Sequence, residues 1–423
     1  MTTGLRSVAS DTTEEPVAHD TAARPIEAAR SAPGHTTPAV VPTPRLRSLD
    51  GMRLVAALMV ALYHYTARSQ TSHYWGASPK ELFPHLSAIG AYGPLGVDLF
   101  FLISGFVICM SSWGRSLGAF FRSRVARLYP AYWVAIALTT IACVLAPTVS
   151  KPLRLDQILV NGTMLQEPLS VPRVIGVDWT LWVEARFYIL FALLVVWRGV
   201  TYRRVVVFAG LWLVASVVAG QAGNALVSQI VMPEYAPFFV GGLALYLVHR
   251  YGSDPLLWGI VAVSWALGQW YATRGLWNPS AGVVYIGRSP HVILAIITIA
   301  YAAVGAAAIG YLRWANWRWL TIAGALTYPF YLLHEHIGWF SITLMSKHWD
   351  LPPAITLLGT LFFILGLAYV IHRSVERPLG PRIKRALESR PPPSDSAESR
   401  SPLRDGGTAR VSHSPRGRIS GDR

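Results

Sequence analysis

Residues 53–64, RLVAALMVALYH, decide the fold. They read as the body of one membrane-crossing helix, an apolar run closed at its ends by two ionisable side chains, Arg53 and His64. An ionisable group inside such a helix costs on the order of 3 kcal/mol on insertion scales, so it needs a partner or a task. Ten residues separate the pair. At about 100° and ~1.5 Å per residue, the chain returns to nearly the same face after roughly three turns and ~16 Å. The spacing therefore predicts that Arg53 and His64 look into one cavity.

The rest of the chain agrees with a membrane reading. Of its 423 residues, 52% are hydrophobic and only 14% charged, against roughly 25% charged in soluble domains. Sixteen Trp suit aromatic belts at two membrane interfaces. Apolar runs recur near the ~20 residues that a crossing requires. Ten spans are expected, near 49–67, 94–112, 128–147, 179–198, 203–221, 236–250, 256–273, 291–311, 319–340 and 354–373, with Pro329 kinking the ninth. The expected fold class is all-α, a polytopic integral membrane protein of about ten transmembrane helices. One membrane domain, 45–385, lies between tails 1–44 and 386–423, whose Pro- and Ser-rich composition reads as disordered.

A net charge of +15 would point to nucleic acid in a soluble protein. Here the Arg residues flank apolar spans and set topology, so the partner expected is the lipid bilayer and not nucleic acid. Arg47, Arg115, Arg122, Arg198, Arg203, Arg204, Arg250, Arg313 and Arg318 fall on one side of the alternating spans, which puts both termini in the cytoplasm of a cell-membrane protein. The first 44 residues lack the apolar core of a cleavable signal, leaving the first span to target the chain. Cys109 and Cys143 sit inside apolar segments. Neither a structural disulfide nor a Cys/His metal site is expected, and no bound cofactor.

With orientation assigned, each polar residue acquires a depth. Arg53 lies near the cytoplasmic face. His64, Asp98, Glu184 and His334 converge at mid to outer depth. His64 is the candidate general base, since an imidazole takes a proton from a hydroxyl near neutral pH. Asp98, near the start of the second span, and Glu184, two turns into the fourth, are candidates to hold the resulting imidazolium. His334 is a candidate substrate contact, and His336 faces another way. Arg124 and Arg127, three apart on one helical face, form a candidate phosphate site, because guanidinium matches phosphate oxygens with a planar fork of donors. Tyr129 stands beside them as a stacking or anchoring ring. Ser104 lacks the elbow motif of a nucleophile and reads as helix packing.

Six stretches occur together in order: LRSLDGMRLVAALMVALYHY, GVDLFFLISGF, FFRSRVARLYPAYW, DWTLWVEARFYILF, YPFYLLHEH and VERPL. In this combination the chain resembles acyltransferase family 3, the polytopic membrane acyltransferases, over about 45–382. The resemblance implies transfer of an acyl group, often acetyl, from acyl-CoA to a hydroxyl. The implied acceptor is a carbohydrate or a glycosylated small molecule, with macrolide-type metabolites as an alternative. It implies that His64 is catalytic, Arg53 its essential partner, and Arg124 and Arg127 the donor-side pair. Thr180 stands where Ser is usual, and Arg186 occupies a variable position. Many relatives carry a fused C-terminal hydrolase-like domain; a stand-alone form is expected for this chain. Direct attack aided by His64 and a covalent acyl-histidine are both compatible with these residues. A transporter of small polar molecules is the reading from another class, since midplane ionisable residues also mark transporters. Against it, the two halves of the chain show no repeat and the Arg pair lies at one face only.

Overall fold

A computed structural model of the chain describes residues 46–147, 150–277 and 288–388. Among these residues there is helix and connecting loop but no strand. Residues 1–44 and 389–423, most of the two expected disordered tails, lie outside the described residues. Residues 386–388 continue the last helix, Arg377–Glu388.

The principal helices are α1 (Arg47–Leu62), α2 (Leu95–Ser112), α3 (Leu117–Leu145), α4 (Trp179–Phe191), α5 (Tyr202–Ala222), α6 (Ala236–Tyr251), α7 (Pro255–Trp277), α8 (Pro290–Ala308), α9 (Arg318–Leu333), α10 (His336–Thr343) and α11 (Pro353–Ile371). Each expected span coincides with one of them, α9 and α10 sharing the ninth. Among the described residues, seven helical stretches are long and apolar enough to cross a membrane. The spans built on α1, α7 and α9 fall outside that seven for physical reasons. Asp50, Arg53 and His64 dilute the first, Gln269 and a run of aromatic rings dilute α7, and α9 is broken after Leu333. The chain is a multi-pass helical membrane protein.

Helices α2 and α6 form the buried centre. The face of α6 from Ala236 to Val248 is wholly enclosed, as is most of α2. Their backbones approach closely because glycines face each other. A Cβ on Gly105 would run into the carbonyl oxygen of Phe239, and one on Gly242 into that of Leu102. Small residues at membrane helix contacts permit this kind of approach. Around this core, α5 exposes Val207, Leu211, Val214 and Val218, and α11 exposes Leu358, Phe362 and Phe363. Such apolar outer faces suit contact with lipid, since every helical backbone group is satisfied internally. Helix α1 packs between α2 and α9, and this placement brings the ends of α1 and α9 together.

Pro329 lies inside α9 without ending it. The helix is interrupted five residues later, at His334–Glu335. The missing N–H and the ring of Pro329 loosen the turn before it, whereas the chain breaks where Tyr65 captures a main-chain carbonyl, that of His334.

Candidate active site

The last residues of the first span, Tyr63–Ala67, wind as a π turn, a local widening frequent at functional sites. A helix end leaves its final carbonyls without helical partners. Two indoles supply donors: Trp339 Nε1 to the carbonyl of His64 at 3.1 Å, and Trp75 Nε1 to that of Tyr65 at 2.8 Å. On the facing element, the Tyr65 hydroxyl donates to the carbonyl of His334 at 2.6 Å. The chain then restarts as α10, with the Trp339 N–H donating to the Glu335 carbonyl at 2.9 Å. Two irregular helix ends thus hold His64, His334 and Glu335 together, all buried.

The hydrogen bonds fix the tautomers. A backbone carbonyl only accepts. The Tyr331 carbonyl lies 2.7 Å from His334 Nδ1, so that nitrogen carries the proton and His334 Nε2 accepts. His64 Nδ1, 3.0 Å from that Nε2, is the donor. His64 Nε2 is left with its lone pair, the arrangement a general base requires. Facing it at 3.8 Å is Glu335 Oε1, which also receives Arg68 at 2.5 Å. An imidazolium formed at His64 therefore has a carboxylate beside it.

On the Arg-rich side of this group lies a cavity with about 800 Å³ of empty space out to its mouth, bordered by Arg53, Ser104, Arg124, Arg127, Glu184 and Tyr331 among others. Arg53 is 3.8 Å from Asp50 on its own helix. Arg124 donates to Ser111 Oγ at 3.2 Å and lies 5.9 Å over the ring of Tyr188. The Ser104 hydroxyl donates to Glu184 Oε1. Three guanidinium groups share this wall with one carboxylate, which makes it a place for an anion. Tyr331 forms part of the wall, accepts a 3.2 Å hydrogen bond from Thr180, and holds His334 through its carbonyl. A second cavity opens on the other side of Glu335, bordered by Arg68, Glu167, Arg173, His336 and Trp339.

The expected residues divide accordingly. His64 and His334 are in contact. Arg53, Arg124, Arg127 and Glu184 line one cavity, but His64 is on the wall neither of that cavity nor of the one beyond Glu335, so Arg53 and His64 do not share the single cavity expected for them. The partner beside the His64 imidazole is Glu335, not Asp98 or Glu184. Asp98 lines a third cavity with Arg186, Glu234 and Arg274. Ser104 is six steps further along the helix, about 600° of rotation, so the two side chains point ~120° apart. Tyr129 is also elsewhere, its hydroxyl donating to the Thr163 carbonyl at 3.0 Å and its ring edge-on to Trp133. Glu335 and Arg68 joined the site without having been singled out. Their sequence signals were the HEH triplet and an Arg four residues beyond His64.

A family model described as "Acyltransferase domain" matches residues 46–373. A protein of Streptomyces mycarofaciens, described as acyltransferase MdmB, is 26% identical over 372 residues, covering 79% of this chain and 91% of that protein. A protein of Rhizobium radiobacter, described as protein 2 in the picA locus, is 36% identical over 104 residues, covering 23% of this chain and 45% of that protein. No solved structure matches.

Proposed function

The chain belongs to acyltransferase family 3, and from that premise we propose that it moves an acyl group, acetyl in the simplest case, from acyl-CoA to a hydroxyl of a carbohydrate or glycosylated acceptor. The observation that carries this reading is the free lone pair of His64 Nε2, with Glu335 Oε1 3.8 Å away; Glu335 borders one cavity, and Tyr331, whose carbonyl holds His334, borders the Arg-rich one. The Arg-rich cavity suits the phosphates and pantetheine arm of a CoA thioester, and the Arg-rich end of the bundle is read as cytoplasmic. The opposite cavity suits an acceptor arriving from outside.

In the proposed reaction His64 Nε2 takes the proton of the acceptor hydroxyl as its oxygen attacks the thioester carbonyl. Glu335 stabilises the imidazolium. The C–S bond then breaks, and the imidazolium returns the proton to the departing thiolate. His334 keeps the imidazole in the required tautomer. A macrolide-type acceptor is an alternative of the same chemistry.

The test is mass spectrometry of surface glycans and secreted metabolites from wild type, deletion strain and a His64→Ala strain. The expected result is an acyl-sized mass increment present only in the wild type. Wild-type acylation in the His64→Ala strain, with the variant in the membrane, overturns the role of His64.

A further inference from the structure

The cavity beyond Glu335 differs in kind from the Arg-rich one. Its charges are consumed in pairs. Arg68 is bound to Glu335 at 2.5 Å, and Arg173 contacts Glu167 and has Asp178 Oδ1 at 3.9 Å. No cationic wall is left over to attract an anion. What the wall does present is hydrogen-bond acceptors. Glu335, only 3% exposed, has no hydrogen-bond partner for Oε2 among the described residues, and His336 Nδ1 stands off at 3.8 Å. Gln166, 1% exposed, spends its amide N–H on Asp178 at 2.8 Å and leaves Oε1 without a partner. Both residues border the cavity. Buried acceptors are normally satisfied, and a ligand that satisfies these must bring donors. Hydroxyl groups do so; phosphate and carboxylate groups do not. Gly176 packs directly against Glu335 Oε2, and a Cβ there would fall on that oxygen. Trp339 adds an aromatic surface to the same wall, the usual companion of a few convergent polar groups in a ligand site.

We propose that this cavity is a binding site for a hydroxyl-rich, non-anionic ligand, whose O–H groups are received by Glu335 Oε2 and Gln166 Oε1. On the acyl-transfer reading, on which this identification rests, that ligand is the acceptor. The bundle then holds an anion-seeking donor side and an anion-indifferent acceptor side on either flank of His64.

The experiment uses the full chain in detergent with acetyl-CoA, following thiol release and product mass. The probes are methyl α-glucoside and methyl α-glucuronide, which differ by one carboxylate. The glucoside should accelerate thiol release saturably and be acetylated, with KM for the glucuronide at least tenfold higher. Glu167→Gln, which unmasks Arg173, should narrow that gap several-fold. Gly176→Ala should raise KM for the glucoside and leave KM for acetyl-CoA unmoved. Equal or better use of the glucuronide, acceleration by neither sugar, or a Glu167→Gln gap identical to wild type overturns the proposal. Absence of any thiol release counts against acyl transfer itself. The site is then decided by the shift in Tm that each sugar produces in the His64→Ala protein. Stabilisation by the glucoside alone sustains it, and equal shifts or none overturn it.

Discussion

His64 Nδ1 stands 3.0 Å from His334 Nε2, and one proton serves both rings. The Tyr331 carbonyl fixes which ring owns it. The chain carbonyl–His334–His64 thus does for the base what a carboxylate does in hydrolytic triads: it sets the tautomer and the ring plane. It does so without a charge, and the charge stands at Glu335 on the opposite nitrogen.

Replacing His64 by Ala removes the proposed base. A drop of about 10²–10⁴-fold in kcat is expected, the usual contribution of a positioned proton acceptor. Single-turnover acyl transfer with purified protein measures it, and unchanged turnover contradicts the assignment.

His334→Ala leaves the base present but unaligned. Misplacement of a reacting group by ~1 Å costs about 10²-fold, so a loss of that order is expected in kcat with little change in KM. His334→Gln, whose amide oxygen can accept from His64 Nδ1, should recover part of it. Equal losses in the two variants would indicate a packing role only.

Arg68 is 29% exposed as a side chain, and Glu335 3%. Arg68→Met strands a buried carboxylate. Full removal of one partner from a buried pair costs about 3–5 kcal/mol; partial exposure of Arg68 brings the expectation down to about 1–3 kcal/mol. Thermal unfolding in detergent reads this as a lowered Tm. Adding Glu335→Gln to the same protein should restore most of the loss.

Arg124→Ala and Arg127→Ala should raise KM for acetyl-CoA about tenfold or more, the range for hydrogen bonds to charged groups. The acetyl thioester of N-acetylcysteamine, which lacks phosphates, is the control donor. Its KM should not move. A parallel rise for both donors would place the arginines in folding and not in phosphate recognition.

Gly105 faces the Phe239 carbonyl across the α2–α6 contact. Gly105→Ala forces these backbones apart, and overpacking of this kind costs about 1–3 kcal/mol. The fall in Tm should appear without a change in either KM. An unchanged Tm would mean that the contact yields readily.

The bundle was legible because hydropathy and Arg asymmetry are carried by whole segments. The Arg-rich cavity was legible too, since Arg124 and Arg127 lie on regular helix where spacing translates into direction. Glu335 was not. Ideal rotation turns residues 334, 335 and 336 to three different faces, and only the break after Leu333 lets Glu335 meet His64. Asp98 misled for the complementary reason: its depth was readable, but its direction across the bundle depends on which neighbours surround α2. Tyr129 likewise sits on the right helix, two residues past Arg127, and is claimed by the Thr163 carbonyl.

Trp339 borders the cavity beyond Glu335 while its ring nitrogen holds the carbonyl of His64. One rigid side chain is thus both wallpaper and hinge pin. A guest that leans on the indole strains the peptide unit carrying the base, so recognition and reactivity share a mechanical linkage. Guests too small to touch that ring would occupy the chamber without tensioning it, and discrimination by size would then surface in turnover before it surfaced in affinity.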